Sequence, residues 1–150
     1  MENYAIQLEN FNGYWHIPEG EEKKPVLKKI NLSIQKGKFY GLCGPVGCGK
    51  TSLFQVFLNE LPFYNGSAQI KGKVSYCEQD LVIFSWTIRE NILFGRPFDP
   101  QRYAQVVEAS CLLRDFELLE HGENTLVGEK GITLSGGQKA RIGLARALYS

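Results

Sequence analysis

The stretch that most constrains this chain is "GPVGCGKTS", Gly44 to Ser52, with the spacing G-x-x-x-x-G-K-T. It follows the continuous apolar run "FYGLCG" and precedes "KTSLFQVFLNEL", in which Leu53, Phe54, Phe57, Leu58 and Leu61 form the stripe of a buried helix. A glycine loop between a buried strand and a helix is an anion nest, because glycine tolerates the tight angles that turn successive amide N–H groups inward at the positive end of the helix dipole. Gly44, Pro45, Val46, Gly47, Cys48, Gly49, Lys50, Thr51 and Ser52 are therefore candidate phosphate-binding residues. Lys50 would set its ammonium on the β- and γ-phosphates, and the Thr51 hydroxyl is the expected Mg²⁺ ligand, since Mg²⁺ prefers hard oxygen.

Around this loop the first part of the chain reads as strands: "YAIQL", "FNGYW" and "VLKKINLSI", the last alternating apolar and polar residues. The run 39–44 reads as a strand buried on both faces at the centre of a sheet. The helix after the loop is expected to stop at Pro62, and Val74 to Cys77 to return to the sheet. From Asp80 onward the pattern is helical. Thr87 and Glu90 have the spacing of a capping box, and Asp99-Pro100 reads as an N-cap followed by proline at N1. In "QRYAQVVEASCLLRDFELLEHG" Tyr103, Val106, Val107, Ser110 and Cys111 share a helical face, with Gly122 as terminator.

Bulk properties narrow the partners. Lys+Arg 17 against Asp+Glu 16 leaves a net charge of +1, too little for a broad field toward nucleic acid or an anionic membrane, so nucleic acid is not an expected partner. No apolar run approaches the roughly 18 residues of a membrane-spanning helix. Cys43, Cys48, Cys77 and Cys111 lack metal-site spacing and read as reduced thiols, and His16 and His121 read as solvent-facing residues of polar loops.

A glycine nest names a ligand class without a reaction, and the second motif is "LSGGQ", Leu134 to Gln138. Ser135 reads as an N-cap, the glycine pair exposes backbone amides, and "QKARIGLARALY" continues as a helix carrying Lys139, Arg141 and Arg146. This is a second helix N-terminus suited to phosphate. "LSGGQ" resembles the signature of ATP-binding-cassette (ABC) proteins. "GPVGCGKTSL", "KVSYCEQDLVIFSWTIRENILFG" and "TLVGEKGITLSGGQKARIGLARALY" are similar to the Walker A, Q-loop and signature regions of the first nucleotide-binding domain of the multidrug-resistance-associated, or C, subfamily.

The resemblance covers nearly the whole chain and implies an α/β fold: a P-loop NTPase core with an N-terminal antiparallel β-subdomain and an α-helical signature subdomain. It divides the chain into a β-rich ATP-binding part, residues 1–79, and a Q-loop, helical and signature part, residues 80–150. It implies ATP and Mg²⁺ as cofactors. Lys50 and Gln79 take catalytic roles, with Gln79 sensing Mg²⁺ beside the Thr51 ligand. Trp15 stacks on adenine, and Ser135, Gly136, Gly137 and Gln138 close over the ATP of a second nucleotide-binding domain in a head-to-tail sandwich. Glu129, in "TLVGEKG", is a candidate contact with the coupling helices of the transmembrane domains. Glu78 stands where the subfamily often has proline.

The implied function is an ABC-type ATPase coupling ATP binding and hydrolysis to solute export, at the cytoplasmic face of a membrane within an integral membrane protein. The alternative is a regulatory nucleotide-binding module that gates a channel or receptor complex with little hydrolysis. In the family a Walker B aspartate, a catalytic carboxylate and a switch histidine follow the signature helix. The expectation is a piece of a longer transporter, without the C-terminal part of its domain, inactive alone and with an unpaired sheet edge.

Overall fold

The computed structural model describes residues 3–16, 24–129 and 131–150. The chain divides into two compact units, Met1–Val74 and Ser75–Ser150. The polar segment between the first two strands, along with Lys130, falls largely outside the described residues.

In the first unit a three-stranded antiparallel sheet has the order β2-β1-β3, from β1 (Tyr4–Tyr14), β2 (Leu27–Gln35) and β3 (Phe63–Ile70). The two strands expected at 4–8 and 11–15 are one strand. Its register shifts between Leu8 and Phe11 against β2, and between Glu9 and Asn12 against β3, where Asn10 takes a φ of 46°. The bulge is held by side-chain amides: Asn31 Oδ1 accepts from Asn10 N at 2.9 Å, and Asn12 Oδ1 accepts from Lys29 N at 2.9 Å. Gly66 faces it so closely that a Cβ there would lie 2.5 Å from the Asn10 carbonyl oxygen.

Helix α1 (Lys50–Phe57) follows the glycine loop, but it ends before the expected Pro62 because Asn59 adopts the left-handed conformation, φ 58°. It buries Ser52, Leu53 and Val56, while Phe54 of the expected stripe is exposed. Leu8, Phe11, Leu27, Leu53, Val56 and Leu61 form the core of this unit.

The expected central strand does not form. Residues 39–44 pair with no strand among the described residues, and Phe39 is 99% exposed. An apolar run becomes a buried strand only with a hydrogen-bonding neighbour and packing on both faces, and neither stands beside it here. Val74–Cys77 likewise stays out of the sheet, with Val74 and Tyr76 exposed.

The second unit is helical: α2 (Ile88–Leu93), α3 (Pro100–Ala109), α4 (Leu113–Leu118), a 3₁₀ turn (Gly122–Asn124) and α5 (Gly136–Tyr149). Both expected starts are present. Thr87 and Glu90 cap each other reciprocally, and the Asp99 side chain accepts from Gln101 N and Arg102 N ahead of Pro100. The single helix expected up to Gly122 is two, broken where Cys111 takes a φ of 57° after Ser110 turns its hydroxyl onto the Val106 carbonyl at 2.7 Å. Cys111 is therefore exposed rather than on the buried face. Ile88, Ile92, Val127, Ile142 and Ala145, all at most 1% exposed, centre the core. Tyr149 is 2% exposed, and its hydroxyl donates to the Pro97 carbonyl at 2.7 Å and accepts from Asp99 N at 2.8 Å. Among the described residues no helix is long and apolar enough to cross a membrane.

Candidate functional site

The glycine loop enters α1 through Gly49, the N-cap, at φ 94°, a conformation that suits glycine. The loop also needs glycine for space: a Cβ at Gly49 would come within 3.2 Å of the Val26 carbonyl oxygen, and one at Gly44 within 2.7 Å of Cys48 Sγ. Gly47 takes a φ of 80°. No side chain caps α1, and its first helical bond runs from Leu53 N to Gly49 O at 3.0 Å. The amides of Lys50, Thr51 and Ser52 therefore precede the helical ladder at the positive end of the dipole.

Lys50 lies over this loop. Its Nζ donates to the Gly44 and Pro45 carbonyl oxygens, both at 2.8 Å, and stands 3.8 Å from Cys48 Sγ. Pro45, Val46 and the Thr51 side chain are exposed. The donor set fits a polyphosphate: open backbone N–H groups, one ammonium, and a hydroxyl in the first turn of the helix. Trp15 reaches the same turn from the end of β1, where its indole Nε1 donates to Ser52 Oγ at 3.2 Å while the residue stays 40% exposed. The structure thus brings Trp15, Lys50, Thr51 and Ser52 together.

In the second unit Ser135 caps α5. Its Oγ accepts from Gln138 N at 3.2 Å, and Gln138 Oε1 accepts from Ser135 N at 2.9 Å, a capping box inside the pentapeptide. Gln79 is exposed and lines a cleft of about 630 Å³ with Asp80, Leu81, Gly136, Lys139 and Ala140. Gln79 and Gly136, the first of the glycine pair, therefore face the same cleft, and Glu129 is exposed in a neighbouring one of about 300 Å³. His16 and His121 are exposed, and all four cysteines are free.

Two of the three cations that the sequence places on α5 are committed inside the fold. Arg141 forms a two-pronged pair with Asp115, Nε to Oδ2 at 2.7 Å and Nη2 to Oδ1 at 2.8 Å. Its guanidinium holds the Asp115 carboxyl below the usual carboxylate range, opposed by burial and helped by the Gln138 side chain. Arg146 donates to the Asn91 carbonyl at 2.8 Å, Asn91 Oδ1 at 3.0 Å and the Val82 carbonyl at 3.0 Å, and lies over the Phe94 ring at 4.9 Å. Burial lowers its pKa. Sequence reasoning missed these roles, yet a signal exists: Arg146 stands four residues after Ile142, on the apolar side of α5, and Asn91 interrupts the apolar pair Ile88 and Ile92.

A glycine loop opening onto an uncapped helix, and a second glycine-paired helix start after it, define a P-loop nucleotide-binding protein. The chain belongs to the ABC transporter family, whose model matches residues 27–150. It is 44% identical over 147 residues to "ATP-binding cassette sub-family C member 3" of Mus musculus, covering 98% of this chain and 9% of that protein. It is 46% identical over 145 residues to "Probable multidrug resistance-associated protein lethal(2)03659" of Drosophila melanogaster, covering 97% and 10%. It is 49% identical over 125 residues to "ABC transporter C family member 13" of Oryza sativa subsp. indica, covering 83% and 8%. The chain thus spans a tenth or less of the length of these relatives.

Proposed function

We propose that these residues are the ATP-binding part of a nucleotide-binding domain in a sub-family C ABC transporter, which couples ATP binding and hydrolysis to solute export. The observation that carries this reading is the open start of α1 above the glycine loop, with the Lys50 ammonium already over it. In this reading Lys50 leaves the Gly44 and Pro45 carbonyls for the β- and γ-phosphates, and the amides from Gly47 to Ser52 hold the phosphate oxygens. The Thr51 hydroxyl would hold Mg²⁺ and Trp15 would offer its ring to the adenine, while Gln79 takes the sensor role that the resemblance to the family implies. When bound, Mg²⁺ neutralises charge on the phosphates.

Ser135, Gly136, Gly137 and Gln138 serve the nucleotide of a second cassette, in a head-to-tail pair. Glu129 meets the coupling helices of transmembrane domains at the cytoplasmic face of the membrane. A protein of these 150 residues alone binds Mg-ATP without steady turnover, because no assigned residue supplies a catalytic carboxylate or a switch histidine.

The test is titration of a fluorescent ATP analogue in Mg²⁺, paired with a phosphate-release assay. Saturable binding displaced by ATP, without sustained release, is expected. Absence of displaceable binding by the folded chain contradicts the reading, and sustained release lost in Lys50→Ala contradicts its second half.

A further inference from the structure

Helix α5 starts at the LSGGQ loop, and its middle holds two features that the nucleotide reading does not use. Gly143 lies inside the helix, where glycine is a poor helix former. A Cβ there would stand 2.1 Å from Leu81 Cδ1 and 3.0 Å from both Leu81 Cδ2 and Cys77 Sγ. The missing side chain is the space in which Cys77 and Leu81 rest. One turn further on, Arg146 donates to the Val82 carbonyl and clasps Asn91 by its carbonyl and its amide oxygen.

Asn91 is fully buried and completes the grip: its Oδ1 accepts from Phe84 N at 3.0 Å, and its Nδ2 donates to the Phe84 and Thr87 carbonyls, both at 3.0 Å. The stretch from Cys77 to Phe84, with Gln79 near its start, is thus seated on α5 by a steric notch and by a bonded hub. These are independent devices on the same side of the helix.

The geometry points to Gly143 and Arg146 as positioning residues that lock the Gln79 stretch to the helix of the LSGGQ loop, so that Gln79 and Ser135–Gln138 shift as one body. The functional half of this inference rests on the reading of Gln79 as a nucleotide sensor. A change at Gln79 is then carried along α5 to the glycine pair.

The seat is tested by amide hydrogen exchange on the whole chain. Gly143→Leu fills the notch and should speed exchange of the Phe84 amide roughly tenfold. Adding Leu81→Ala, which vacates the space, should restore it to within about twofold. Arg146→Lys keeps the charge but removes the fork, and should raise exchange over 77–84 by a similar factor while the core amides of α3 stay unchanged. It judges the seat should Gly143→Leu fail to fold.

Wild-type exchange at Phe84 in Arg146→Lys, or acceleration spread evenly over all helices with no rescue by Leu81→Ala, overturns the seat. Mg-ATP is then added to the wild-type chain and to Arg146→Lys. The wild type should change exchange at Ser135–Lys139, and Arg146→Lys should lose that response at unchanged ATP affinity. Bound ATP with no response in the wild type overturns the coupling. An absence of ATP binding instead removes the nucleotide reading, and the Phe84 exchange still decides the seat.

Discussion

Two helices of this molecule begin at paired or spaced glycines, and they begin differently. Helix α1 starts from Gly49 with no side chain on its first amides, whereas α5 starts inside a reciprocal box in which Ser135 and Gln138 satisfy each other. The first helix leaves its N-terminal donors for a ligand. The second already answers part of its own demand, keeps the Gly136 and Gly137 amides ahead of the ladder, and fixes its position through Arg141 on Asp115 and Arg146 on Asn91. An open start suits a loop that grips phosphate tightly, and a braced start suits a surface presented to a nucleotide held elsewhere.

The contrast extends to the packing behind each start, which gives the largest way to break it. Phe11 is 1% exposed in the sheet unit and stacks on Tyr64 with ring centroids 5.3 Å apart. Phe11→Ala should cost about 3–5 kcal/mol and lower the denaturant midpoint of the sheet unit. The helical unit has its own core, so amide exchange around Ile142 should be little changed; equal loss in both units would show that they do not stabilise separately.

A smaller effect should come from the brace. Asp115→Asn removes the charge partner of Arg141 and should destabilise the helical unit by about 1–2 kcal/mol, discounted because Arg141 is partly exposed. Because the folded Asp115 carboxyl is held below its ordinary range, its contribution is present above that range, near pH 3.9, and fades as the pH falls through the lowered folded value. Acid titration of the wild type against Asp115→Asn, followed by helical circular dichroism, should show curves that differ at neutral pH and converge in acid.

Smaller still, Ser135→Ala removes the cap of α5 and should cost about 1 kcal/mol. Faster amide exchange confined to Gln138 and its neighbours is the expected sign, and unchanged exchange there would argue that the box is not formed in solution.

What could be read in the sequence follows this division. Thr87 with Glu90, Asp99 before Pro100, and Ser135 before its glycines are local signals, settled within one helical turn, and each marks a helix start in the structure. The run 39–44 failed as a strand because a strand is defined by a neighbour distant in sequence, and apolar character alone supplies none. The break of α3 at Cys111 turns on one left-handed residue that periodicity does not register. Arg141 and Arg146 read only as cations carried by a helix whose start suits phosphate, since Asp115 and Asn91 lie 26 and 55 residues away and their pairing exists only in the folded unit.

The central claim is that the open start of α1, rather than the braced start of α5, holds this chain's own nucleotide. Isothermal titration of Mg-ATP into the wild type, Lys50→Ala and Ser135→Ala tests it directly. Lys50→Ala should weaken binding at least about tenfold with the fold intact, and Ser135→Ala should leave affinity within about twofold. Binding that survives Lys50→Ala but fails in Ser135→Ala would contradict the account.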